Sequence, residues 1–237
     1  NSFCTLLLPL QASPCTPMAR ALSIIAVAAA FLLVGAAATA KDDIDALRVK
    51  ALEHAIAKNG FRGEPATVPA LNVTQFLGRW YEVYQDWITA NTFQRDSYCA
   101  TADYGIDTAV AGRITVANKE HQGSITGPEV NVSGYAYQPD PQTYPGRLVV
   151  YLHGDHASPF PAPYWVLKLG PVVDGKYDYA VVSDNFRLTL FVLARDVARF
   201  ESTYAPSVLA WLAANGFTEF WNKPQKLTQA NCTYFPF

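Results

Sequence analysis

From residue 80 to residue 195 the chain reads as strands. Runs of aromatic and β-branched residues are divided by clusters of glycine, proline, asparagine and aspartate. Such residues suit a pleated, half-buried surface, and side chains two apart share a face. In the first run, Trp80, Glu82 and Tyr84 share one face, and Tyr81, Val83 and Gln85 share the other. The pattern predicts strands at 80–85, 97–106, 113–119, 131–138, 147–152, 164–169, 177–183 and 188–195. Eight short strands joined mostly by short turns predict an all-β fold, an eight-stranded up-and-down antiparallel barrel. A closed sheet has no edge, and eight strands leave an interior wide enough for one small molecule. The longer segment 87–96 is expected to lie over the barrel mouth.

The flanks follow other patterns. Pro206 in a first turn and Gly216 just past the end mark a helix over 206–216, with Val208, Leu209, Trp211 and Leu212 packing it on the barrel's outside. Residues 41–60 open with Asp42, Asp43 and Asp45 and close on Asn59-Gly60, which predicts a short N-terminal helix. Residues 61–70, with Pro65 and Pro69, read as a linker. Ahead of these stand Met18, the sole methionine, then Arg20, an apolar run over 21–38 and Ala38-Thr39-Ala40. That order predicts a secretory leader cleaved after Ala40, with a membrane anchor as the alternative. Residues 1–17 precede the methionine, and two readings stay open: untranslated upstream sequence, or part of a longer chain. The expected organisation is a leader over 1–40, a helix and linker over 41–71, and the barrel with its helix and tail over 72–237.

Three stretches carry a resemblance. Gly78-Arg79-Trp80-Tyr81-Glu82 resembles the first signature of the lipocalin family, the ligand-carrying barrels. Tyr164-Trp165-Val166-Leu167 resembles the sixth strand of the group typified by apolipoprotein D and bacterial lipocalin. Phe191-Val192-Leu193-Ala194-Arg195 resembles the eighth strand. The resemblance implies that Gly78, Trp80, Tyr81 and Arg195 form the structural signature, with Arg195 packed over Trp80 at the closed end. The family's second signature, Thr-Asp-Tyr, is replaced at 169–175 by Leu-Gly-Pro-Val-Val-Asp-Gly, which implies a longer turn.

Charge excludes some partners. The formal net charge is −2, and no lysine or arginine cluster runs through the chain, so nucleic acid is not an expected partner. Four cysteines are present, of which Cys4 and Cys15 lie in the leader. Two remaining thiols in a secreted domain most often pair, and the resemblance implies the same Cys99–Cys232 bond between the second strand and the tail. The rival reading, a nucleophilic cysteine in the pocket, is opposed by parity: if Tyr104 points inward, so does Ala102, and Cys99 points out. Asn72, Asn131 and Asn231 head glycosylation sequons. His153-Gly154-Asp155-His156 is the only histidine cluster, and it reads as a solvated turn, so no metal and no cofactor are expected.

These readings give a secreted or lumenal monomeric carrier of a small hydrophobic ligand, such as a fatty acid, sterol, retinoid or carotenoid-like molecule. A peripheral membrane contact stays open. Counting by twos back from Arg195 turns Leu193 and Phe191 inward. Strand two offers Ala102 and Tyr104, strand one offers Tyr84, and Phe93 on the mouth loop is expected to touch ligand. The alternative is an isomerase or de-epoxidase-like enzyme of the same fold, for which Glu82 is the candidate acid. As a structural residue, Glu82 is expected to pair with an internal arginine or tyrosine.

Overall fold

A computed structural model describes residues 63–153 and 161–237. The expected leader, the expected helix over 41–60 and most of the histidine cluster lie outside the described residues.

Eight strands close into an antiparallel barrel. They are β1 (Gly78–Gln85), β2 (Ser97–Ile106), β3 (Arg113–Gln122), β4 (Glu129–Tyr137), β5 (Arg147–His153), β6 (Ala162–Leu169), β9 (Tyr179–Ser183) and β10 (Leu190–Ala194). Each pairs with the next, and β10 pairs back onto β1 to complete the circle. The strands fall where the residue pattern puts them, because period-two burial forces one face inward. The longer turn after β6 is a small hairpin of β7 (Val172–Val173) and β8 (Lys176–Tyr177). Asp174 and Gly175 sit at its tip with φ of 50° and 75°, the doubly left-handed turn that matches strand twist.

Four helical pieces decorate the barrel. α1 (Val73–Phe76) precedes β1, and α2 (Trp87–Asn91) lies in the mouth segment. Asn72 and Asp86 cap them through hydrogen bonds from Gln75 N and Thr89 N. α3 (Val197–Arg199) runs through a wider turn at Phe200–Tyr204 into α4 (Ala205–Ala214). Val208 and Leu212 of α4 are fully buried against the outer face, in one cluster with Tyr84, Leu190, Val192, Phe200 and Phe217. The inner cluster is separate and contains Phe76, Trp80, Ala102, Tyr104, Ile114, Val116, Leu148, Val166, Val182 and Leu193.

The closed end is built around Arg195. Its guanidinium carbon stands 3.5 Å from the centroid of the Trp80 ring. Its nitrogens donate to five carbonyls: Gln75, Phe76, Leu77, Arg79 and Tyr177. Trp80 Nε1 donates to the Phe76 carbonyl at 2.9 Å, so both side chains meet on one oxygen. Gly78 makes the approach feasible: φ is 102°, and a Cβ there would stand 3.3 Å from Arg195 Nη1. Burial lowers Arg195 to about 10, so it stays cationic at neutral pH.

The C-terminal tail is part of the wall. β1 and β2 pair only from Gly78↔Tyr104 to Tyr81↔Thr101. Beyond that point β11 (Gln225–Lys226) pairs with β1 in their place. Leu227 N then donates to the Val83 carbonyl, and Cys99 N to that of Thr228. Gln229 Nε2 donates to the carbonyls of Glu82 and Ala100 at 2.7 and 2.9 Å, bridging the two strands. The Cys99–Cys232 disulfide fastens this strap across 133 residues of sequence.

Trp80→Ala should destabilise by about 3–5 kcal/mol through the cavity it opens. Arg195→Ala should also destabilise, by losing the ring contact and several carbonyl bonds. Because the two share the Phe76 oxygen, the double variant should cost less than the sum, with a coupling of about 0.5–3 kcal/mol. Urea unfolding of the four proteins measures this, and strict additivity would contradict the geometry.

Candidate functional site

The site is the barrel interior, and β-bulges decide what lines it. On β1, Glu82 pairs with Leu193 but Tyr84 pairs with Val192, so Val83 is an extra residue. An inserted residue exchanges the faces of everything after it. Trp80 and Glu82 therefore point inward, while Tyr84 turns outward. Its ring lies 6.3 Å from Phe200, and its hydroxyl reaches Glu201. The inward orientation expected for Tyr84 is thus corrected, and Gln85, opposite Phe191, takes the inward place.

The other expected lining residues do meet. Ala102, Tyr104 and Leu193 are buried in the inner cluster, and Phe191 packs against it. Phe93 is 42% exposed at the mouth, with its ring 6.2 Å from that of Phe191. Two aromatic residues were missed. Phe76 enters from α1 and stacks on Tyr104 at 5.7 Å. Tyr164 crosses Tyr104 edge-on, and their hydroxyls are 2.9 Å apart. The sequence did mark Tyr164 within a strand, but Phe76 lies outside every alternating run.

Above this aromatic floor lies a polar band. Glu82 is 4% exposed, and its Oε2 accepts from Gln94 Nε2 at 2.9 Å. The internal partner is thus an amide from the mouth segment, where an arginine or tyrosine was expected. Glu120 is buried on β3 and accepts from Ser97 Oγ at 2.7 Å. Asn118, two positions earlier on β3, pairs across with inward Ala102. Four buried oxygens of these interior side chains and the mouth segment lack a hydrogen-bond partner among the described residues: Glu82 Oε1, Gln85 Oε1, Gln94 Oε1 and Asn118 Oδ1. Asp103 has the opposite parity and forms a two-pronged pair with Arg79, at 2.7 and 2.6 Å.

Burial pushes the Glu82 carboxyl up to about 8. The Gln94 hydrogen bond opposes this, and the carboxylates of Glu120 and Asp86 reinforce it. Burial also raises Glu120, and it raises Asp86 to about 7 against the bonds that Asp86 accepts from Thr89 and Leu190. Tyr104 and Tyr164 are raised by burial as well, so both stay neutral. Burial therefore disfavours charge in an interior that is rich in acceptors.

Among the described residues no group of three metal-ligating side chains occurs. His153 is exposed and lies against Tyr135 and Tyr151. Asn72, Asn131 and Asn231 are all exposed, as a modified asparagine requires. Cys99 lies in the bulge of β2 and bonds to the outer tail, away from the inner cluster.

A carboxyl raised by folding holds a proton that the unfolded chain releases. Stability from Glu82 is thus complete below pH ~4.5 and declines toward pH ~8, by up to about 1.4 kcal/mol per pH unit. Glu82→Gln should flatten the fall of Tm across that window, leaving the part due to Asp86 and Glu120. An unchanged slope would mean that Glu82 is ionised in the folded protein.

Comparison with known proteins places the chain. The sequence profile described as a lipocalin-like domain matches residues 71–220. Temperature-induced lipocalin-1 of Arabidopsis thaliana is 28% identical over 150 residues, covering 60% of this chain and 72% of that protein. Among solved structures, lobster apocrustacyanin A1 is similar at 16% identity and a TM-score of 0.49, over 73% of this chain and 93% of its own. H1 crustacyanin from the lobster Homarus americanus is similar at 16% identity and a TM-score of 0.49, over 71% and 90%. The match to the lipocalin-like domain covers more than half of the chain, and with it the barrel and the Trp80–Arg195 closed end, so the chain belongs to the lipocalin family.

Proposed function

We propose that this protein carries a small hydrophobic molecule inside its barrel. One observation carries the reading: the barrel closes on itself around an apolar and aromatic inner face that is sealed at one end. Trp80 and Arg195 seal one end, while the rings of Phe93 and Phe191 stand side by side, tilted, at the other. Between them, apart from the band of carboxyl and amide groups, the lining is apolar and aromatic, the composition that takes up fatty acids, sterols and retinoids. Membership of the family supports a binding role over catalysis. A secreted or lumenal location is part of the proposal. It is supported by the apolar run over 21–38 and by the disulfide, a bond that persists in oxidising compartments.

Quenching of tryptophan fluorescence should report saturable binding from a panel of fatty acids, retinoids and sterols. Phe191→Asp puts an unpaired carboxylate among apolar groups and should abolish that binding. Tyr104→Phe removes only the hydroxyl contact with Tyr164 and should cost about 0.5–1.5 kcal/mol. Equal binding by Phe191→Asp would remove Phe191 from the site. Chemical conversion of the recovered ligand, lost in Glu82→Gln, would replace the carrier by an enzyme.

A further inference from the structure

The polar band inside the barrel is out of place in a container for oil. A buried polar atom without a partner is costly, and buried groups in native proteins are almost always satisfied. Here four such atoms belong to side chains of the barrel interior and its mouth segment, and all four are oxygens: Glu82 Oε1, Gln85 Oε1, Gln94 Oε1 and Asn118 Oδ1. Gln94 bonds Glu82 directly, and Gln85 lies opposite Phe191 at the mouth. Glu120 stands close enough to Glu82 to disfavour its ionisation. The donors that already hold the two carboxyls, Gln94 and Ser97, are neutral. The nearby cation, Arg195, lies against Trp80 at the closed end and is engaged with five carbonyls. The compartment thus offers acceptors and latent negative charge, and what fits it is a group with several N–H donors and a positive charge.

The geometry points to a head-group site in which Glu82, with Gln85, Gln94 and Asn118, selects apolar ligands bearing a protonated primary amine. The ammonium supplies three donors, for Glu82 Oε1 and the orphaned oxygens within its reach, and a cation for the Glu82 carboxyl, a charge-assisted contact that a hydroxyl matches only in part. A carboxylate head is disfavoured, because it meets more acceptors than donors, brings no cation, and would oppose any ionisation of Glu82 and Glu120. The apolar body then lies among Phe191, Leu193 and Tyr104.

This inference rests on the carrier reading, and three probes with one tail separate the two. Dodecylamine, dodecanol and dodecanoate are titrated into the intact protein and into Glu82→Gln. Dodecylamine should bind the intact protein about tenfold more tightly than dodecanol, with dodecanoate weakest. In Glu82→Gln the amine should lose that advantage while dodecanol binds as before, which also shows that the variant is folded. Dodecanoate or dodecanol binding as well as the amine, or an amine preference that survives in Glu82→Gln, overturns the head-group site and leaves the carrier standing. Failure of all three probes to bind overturns both.

Discussion

The fold depends on a cation placed among carbonyl oxygens. Arg195 comes from the end of β10, yet its contacts are with α1, the start of β1 and the end of β8. Three of its partners are carbonyls at the C-terminal end of α1 (Gln75, Phe76 and Leu77), where the helix leaves acceptors unused and carries partial negative charge. A lysine could offer its charge there but not a planar fork wide enough to reach both α1 and β1. The indole of Trp80 covers the inner face of the guanidinium and keeps it out of the interior. One side chain thus closes the floor, fixes where β1 begins and holds α1 so that Phe76 points into the barrel.

Much of this was legible in the residues. Strand positions, the outer helix and the signature at Gly78-Arg79-Trp80 rest on local signals, and the Cys99–Cys232 pair on there being just two cysteines outside the expected leader. The interior was harder to read, for a physical reason. Period-two reasoning holds only while the ladder is regular, and Val83 breaks it without any glycine to give warning. That one extra residue moves Tyr84 under the helix and brings Gln85 inside. On β3, Asn118 and Glu120 lie on the inward face after Ile114 and Val116, so a polar pair continues an apolar row. Sequence reasoning gives such positions to solvent by default. Gln94 could not be placed at all, since its role depends on how the mouth segment folds back toward Glu82.

The interior therefore has two zones with different chemistry. Near the floor, Phe76, Trp80, Tyr104 and Tyr164 pack ring against ring, and the only polar contacts are internal to the aromatic groups or directed at the backbone. Toward the mouth, carboxyl and amide oxygens outnumber their donors. A molecule held here meets apolar surface at one end and acceptors at the other, so the barrel can fix its orientation as well as its presence.

The strap formed by the tail sets the order in which the wall can be completed. Strands β1 and β2 leave the ribosome before the segment that fills the seam between them, which follows all the other barrel strands. Cys99 must wait for Cys232, 133 positions further along the chain, before the seam can be locked. Until then Glu82 and Ala100 lack the Gln229 bridge, and the band of interior oxygens lies beside an open flank. The wall beside these oxygens is thus completed only once the tail has followed the barrel strands, and the disulfide then holds the seam closed.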